Sequence, residues 1–149
     1  MKNLVRCFLI IAAMLVIYSS ASAQGKFGVV GKIFPHEQAD ALFGKVTQSV
    51  QISTDELKGI IAKANDYVFF TIKNNSAVVT NEKRMSLIAN GVIPTQVEVM
   101  HFFSKSKINE LLQGTSSTSV SLEYRGTTLT VSTMESTMEY SSCCPPICY

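Results

Sequence analysis

The sequence predicts an α+β fold, a mainly antiparallel sheet with two helices packed on one face. Three observations lead there. Apolar residues alternate with period two in several short segments, two other segments carry them at helical spacing, and the order strand, helix, strand, tight turn, strand occurs twice.

The elements follow in order along the chain. FGVVGKIF (27–34) is β-branched and apolar, as a first strand requires. Pro35 then opens a short helix, HEQADALF, which Gly44 closes. In VTQSVQI, Val46, Val50 and Ile52 share one face of a strand, with Thr47, Ser49 and Gln51 on the other. Ser53 and Glu56 fit a capping box, and Leu57, Ile60, Ile61 and Ala64 recur at helical spacing to near Asn65. YVFFTIK and SAVVT flank Asn74-Asn75, residues that tolerate the positive φ angles of a two-residue hairpin turn, which sets Phe70 opposite Val79 and Ile72 opposite Ala77.

The same order then returns. QVEVMHFF (96–103) reads as a strand, and SKSKINELLQG as a helix bearing Ile108, Leu111 and Leu112 and ending at Gly114. SVSLEY and TLTVS flank Arg125-Gly126, which as the turn would pair Val120 with Val131 and Leu122 with Leu129. Shifting residues 46–80 by 51 positions superposes them on 97–131 without a gap, Val46 on Val97 and Ser53 on Ser104 being identical. Segments 45–81 and 96–132 therefore read either as a duplicated β-α-β-β unit or as two instances of a common pattern. The second hairpin is expected to have one dry and one wet face. YVFFTI is apolar on both sides and belongs at the centre of a sheet or under a cover.

The chain begins with Lys2 and Arg6, the apolar run Cys7 to Tyr18, and Ala21-Ser22-Ala23, the three-part layout of a secretory signal peptide. The run is well short of the ~20 apolar residues of a spanning helix. Residues 1–23 are thus expected to be removed, leaving Gln24 first, a secreted or periplasmic location, and no membrane span after cleavage. Without Lys2 and Arg6, 11 of the 13 basic residues remain against 11 acidic ones, so the exported chain is formally neutral. With no basic cluster longer than Lys83-Arg84, a nucleic-acid partner is not expected. Residues 24–131 fit a single domain, and 132–149 read as a tail containing cysteine and methionine.

Motifs that carry chemistry are sparse. His36 and His101 are the two histidines. His101 lies on the parity of Val97, Val99 and Phe103, as a core residue would, and His36 has Glu37 and Asp40 nearby, an arrangement that could seed a metal site. No catalytic or phosphate-binding motif occurs, so a small hydrolase centred on His101 or His36 is the third of three readings. Asn74-Asn75-Ser76 matches a glycan acceptor at a hairpin tip.

The tail repeats Ser-Thr-Met-Glu at 132–135 and 136–139 and ends in CCPPICY. Adjacent Cys143 and Cys144 have Cα atoms ~3.8 Å apart, too close for an unstrained disulfide. Cys148 bridging Cys143 or Cys144 is easier and leaves one thiol for a second chain. The alternative is a soft-metal or redox site on Cys143, Cys144 and Cys148 with Met134 and Met138, although no C-x-x-C is present. The favoured reading is an exported, non-enzymatic module with no resident cofactor that binds a protein partner or itself.

Overall fold

The computed structural model describes residues 27–89, 91, 98–139 and 142–144. The expected signal peptide, Val97, Pro94 and Cys148 lie outside these residues. The fold is α+β, built from two antiparallel sheets rather than one.

Strand β1 is Lys32–Pro35. A 3-10 turn, His36–Gln38, runs directly into helix α1, Ala39–Phe43. Strand β2 (Gln48–Ser53) leads into helix α2 (Thr54–Ala62), and the hairpin β3 (Tyr67–Lys73) and β4 (Ser76–Thr80) follows. Strand β5 (Met100–Ser104), helix α3 (Lys105–Gln113) and the hairpin β6 (Ser119–Arg125) and β7 (Thr128–Ser132) form the second series. Strands β8 (Ser136–Glu139) and β9 (Ser142–Cys144) complete the described fold. One sheet has the order β1-β8-β7-β6-β2 and the other β4-β3-β5-β9.

Local chemistry accounts for these elements. Ser53 Oγ accepts the Glu56 N–H at 3.1 Å, so the capping half of the expected box is in place. Asn74 and Asn75 have φ of 51° and 56°, the left-handed pair of a type I′ turn, and the β3–β4 register is as expected, Phe70 opposite Val79 and Ile72 opposite Ala77. The first strand is shorter than the apolar run 27–34 suggested, because Gly28 and Gly31 take φ of +71° and +113°. At Gly31 a Cβ would also meet Phe103 at 3.2 Å and the Met138 sulfur at 3.3 Å.

The two series are joined by exchange. β2 of the first pairs with β6 of the second, and β5 of the second pairs with β3 of the first. The registers are equivalent: Ser53 faces Ser119 as Ser104 faces Tyr67, and Val50 faces Leu122 as His101 faces Phe70. Helices α2 and α3 start 51 positions apart, at Thr54 and Lys105, whereas β3 and β6 start 52 apart, at Tyr67 and Ser119. The gapless superposition therefore needs one extra residue between helix and hairpin in the second series. Even the joints repeat, since Thr54 N–H donates to Thr118 O at 2.9 Å and Lys105 N–H to Asp66 O at 2.8 Å.

That extra residue corrects the second hairpin. The turn is Gly126-Thr127, with φ of +64° at Gly126, and Leu122 pairs with Val131 and Tyr124 with Leu129. Because the slip is even, Val120, Leu122, Leu129 and Val131 keep the face expected of them and all are buried. They join Leu57, Ile60 and Ile61 of α2, Ile108, Leu111 and Leu112 of α3, and Val68, Phe70 and Phe103 of the second sheet in one core. β3 is central, between β4 and β5, and is buried from Tyr67 to Ile72. On its other face Tyr67, Phe69, Val78, Met100 and Phe102 form a second cluster against which Val30 packs, with the Phe27 ring 5.1 Å from Phe102. The segment set apart as a tail supplies β8, inserted between β7 and β1, and β9 on the border of the other sheet.

Phe70→Ala and its counterpart Leu122→Ala should each lower stability by about 3 kcal/mol or more. Urea unfolding followed by both circular dichroism and tyrosine fluorescence should show one coincident transition for each variant, because neither series closes a core without the other.

Candidate functional site

The face of β6, β7 and β8 turned away from the core is polar, yet it is not wet. Glu123, Arg125, Thr130, Ser132 and Thr137 are all buried there. The cover is the segment from Pro35 to Gly44. Pro35, at φ −56°, leads β1 into the 3-10 turn, and Gly44, at φ +84°, ends α1 with its N–H on Asp40 O at 3.1 Å. This cap rests on the sheet through polar groups, buried Ala39 and the Phe43 ring, whose centroid lies 5.2 Å from that of Phe34 in β1.

The side chains form a continuous chain of hydrogen bonds. Arg125 Nη1 donates to Asp40 Oδ1 at 2.5 Å and to Gly44 O at 2.8 Å, and Arg125 Nη2 donates to Glu123 Oε2 at 2.8 Å. Ser132 Oγ donates to the same Glu123 oxygen at 2.9 Å, and Thr137 Oγ1 lies 3.1 Å from Ser132 Oγ and 3.0 Å from His36 Nδ1. One assignment of protons satisfies the run: a carboxylate only accepts, so Ser132 donates to Glu123, Thr137 to Ser132, and a protonated Nδ1 of His36 to Thr137. Burial works against the charge on Arg125, but hydrogen bonds and charge from Asp40 and Glu123 outweigh it and raise its pKa above the ordinary value. The Arg125 side chain is 2% exposed and that of Asp40 65%. Arg125 Nε is buried with no hydrogen-bond partner among the described residues.

Ser132 and Thr137 are 2% and 0% exposed, so neither hydroxyl is presented to solvent as a nucleophile. Of the residues singled out from sequence, His36 and Asp40 belong to the site, His36 through Thr137 and Asp40 through Arg125. His101 is elsewhere, buried against Tyr124 with ring centroids 5.8 Å apart, and desolvation lowers its pKa. Met138 is fully buried in the core and Met134 is 79% exposed in the turn after β7, so the thioethers are not gathered with each other. Among the described residues no group of three or more His, Cys, Asp or Glu is placed to hold a metal. Asn74, the glycan-acceptor position, sits exposed at the β3–β4 tip.

Sequence reasoning misses Arg125 by setting it at an exposed turn tip and Glu123 by setting it on a face expected to be wet. The available signal was their i, i+2 spacing on a face otherwise lined with serine and threonine. No protein-family model, curated protein or solved structure matches this chain.

Removing the buried carboxylate should hurt far more than removing the exposed one. Glu123→Ala is expected to lose about 3 kcal/mol by leaving Nη2 of the buried Arg125 without its acceptor and the cation paired with Asp40 alone. Asp40→Ala should lose about 1 kcal/mol or less, as exposed pairs do, both read from urea unfolding.

Two groups contribute to the pH dependence of stability on the acid side. His101 is kept neutral by burial, so its contribution is full above about pH 6.5 and falls away as pH drops below that value. The exposed Glu135 accepts from the hydroxyls of Thr115 and Ser116, which lowers its pKa from 4.5 to about 2, so its contribution is complete above 4.5 and is lost toward 2. Urea midpoints taken across this range should fall less steeply below pH 6.5 in His101→Gln, and less steeply between pH 4.5 and 2 in Glu135→Gln.

Proposed function

We propose that the chain is an exported, non-enzymatic module that binds another protein or a second copy of itself, with its C-terminal cysteines closing a local disulfide and leaving one thiol for an intermolecular bond. The observation that carries this reading is the position of β9. Cys143 and Cys144 occupy register positions opposite His101 and Met100 in β5, at the outer border of the four-stranded sheet. A cysteine segment on a sheet border supports this reading, because a border strand is where a further chain can add.

Other features support it. Cys143 and Cys144 are consecutive positions of a paired strand, which favours Cys148 over a neighbour as the bridging residue. The buried polar site lacks an accessible nucleophile, which favours binding over hydrolysis. Lys2, Arg6, the apolar run and Ala21-Ser22-Ala23 support export to an oxidising compartment, where an odd thiol finds a second chain.

Intact mass of the purified exported protein, with and without reduction and with alkylation, tests the reading. The expected result is a chain starting at Gln24 that takes up three alkyl groups after reduction and at most one before it, with any disulfide-linked dimer collapsing on reduction. Three free thiols in the unreduced protein, or an uncleaved leader, would overturn it.

A further inference from the structure

Three of the four sheet borders are taken up or guarded. At β4, Thr80 bridges to Ser86 and Leu87 N–H donates to Val79 O at 2.9 Å. The β1 border carries Lys32 and Pro35, a charge and a missing N–H that discourage a further strand. The β2 border meets that of β4, Gln48 Nε2 donating to Asn75 Oδ1 at 3.2 Å. β9 ends the four-stranded order on its far side, with no such guard among the described residues.

The ladder beside β9 tells which groups it offers. Lys105 N–H donates to Asp66 O at 2.8 Å, on the side of β3, whereas Ser104 N–H donates to Val30 O at 2.9 Å. Backbone groups alternate between the two sides of a strand, so His101 uses its pair on β3, and Met100 and Phe102 turn theirs to β9. Their partners Cys144 and Ser142 are thereby engaged. Cys143, across from His101, directs its own N–H and C=O to the open border.

An occupant has to match one outward residue and one spare thiol, and a second copy of the chain matches both. In an antiparallel pair about a twofold axis, the residue on the axis meets its own equivalent. With the axis at Cys143 the two residues exchange both backbone hydrogen bonds, and their Cα atoms stand ~5.5 Å apart, inside the ~4.4–6.8 Å span of a disulfide. An axis at Cys144 would set Cys143 against Pro145, which has no N–H to return. Exported copies are formally neutral, so no net charge opposes their approach.

We infer that β9 pairs with β9 of a second copy about an axis at Cys143, and that Cys143 is the intermolecular thiol while Cys144 and Cys148 close the local bridge. This rests on the binding reading above and names its partner. Each bond forms by exchange with a disulfide donor: two S–H bonds break, one S–S bond forms, and the donor's S–S bond takes up the two electrons and two protons.

The test uses the full exported chain in three two-residue variants, C144S/C148S, C143S/C148S and C143S/C144S, each incubated with oxidised glutathione and read on non-reducing gels. The form keeping Cys143 should give at least about ten times as much covalent dimer as either of the others, since only there are the two sulfurs held within bridging distance. Dithiothreitol should return it to monomer. By hydrogen exchange, the Cys143 amide should become at least about tenfold slower in that dimer, while the Cys144 amide, already turned to Met100, should change little.

Equal dimer yields, or a larger yield with Cys144 or Cys148, would overturn the axis and with it the proposal. Unchanged exchange at the Cys143 amide in the linked dimer would overturn the strand pairing. A parent chain that keeps one alkylatable thiol yet stays monomeric under the same oxidant would overturn the second copy while leaving the local bridge intact, and three unoxidised thiols would overturn both.

Discussion

Reciprocal strand exchange is the constraint on which the molecule depends. β2 leaves its own hairpin to pair with β6, and β5 does the converse with β3, in matching registers. Each sheet is therefore assembled from both halves of the chain, and α2 and α3 pack into a core lined by both sheets. A half of roughly 50 residues would be marginal alone by surface-to-volume scaling. Exchange removes the problem by making the core common property. It also explains why the apolar pattern is so alike at inward positions, since Val50, Leu122, Phe70 and Val79 each face a counterpart across the same kind of ladder.

With the inner faces so constrained, the outer faces are where the two sheets differ. One is aromatic and dry, with Tyr67 and Phe102 approached by Phe27, while Tyr67 Oη accepts the Phe27 N–H at 2.8 Å and donates to Gly28 O at 2.9 Å. The other carries serine, threonine, glutamate and arginine at equivalent positions and is covered by a short helical cap. The physical difference lies in what holds each cover. Aromatic area binds the first segment through the hydrophobic effect, whereas charge-assisted hydrogen bonds join the Phe34–Phe43 ring contact in holding the second.

Alternation and turn chemistry made most of the fold legible. Ser53, Asn74-Asn75 and the helical stripes of α2 and α3 stood where local rules placed them, and the β3–β4 register followed from its turn. The misplacement of the Gly126 turn by one residue was harmless for the core because it shifted pairing by two, and harmful for the site because it moved Arg125 from strand to tip. The division into two sheets was not legible, since no local pattern states that a strand will pair with a hairpin some seventy residues away. Nor was β8, whose Ser-Thr-Met-Glu offers a single apolar residue, Met138, to announce a strand. Of the site, His36 and Asp40 could be seen as neighbours of a helix start. Glu123 and Arg125 needed the third dimension, because only the cap makes an outward polar face into an interior.

The two copies of Ser-Thr-Met-Glu put chemically identical sulfurs into opposite surroundings, Met134 at a turn tip in full contact with solvent and Met138 sealed beside Gly31 and Phe103. A peroxide diffusing up to the folded protein encounters the first and is denied the second, and an oxygen added to Met138 would put a polar sulfoxide among Phe103 and its neighbours. The tandem motif thus carries one exposed and one buried copy of the same thioether, so sulfoxide at Met138 relative to Met134 would report opening of the core around β8.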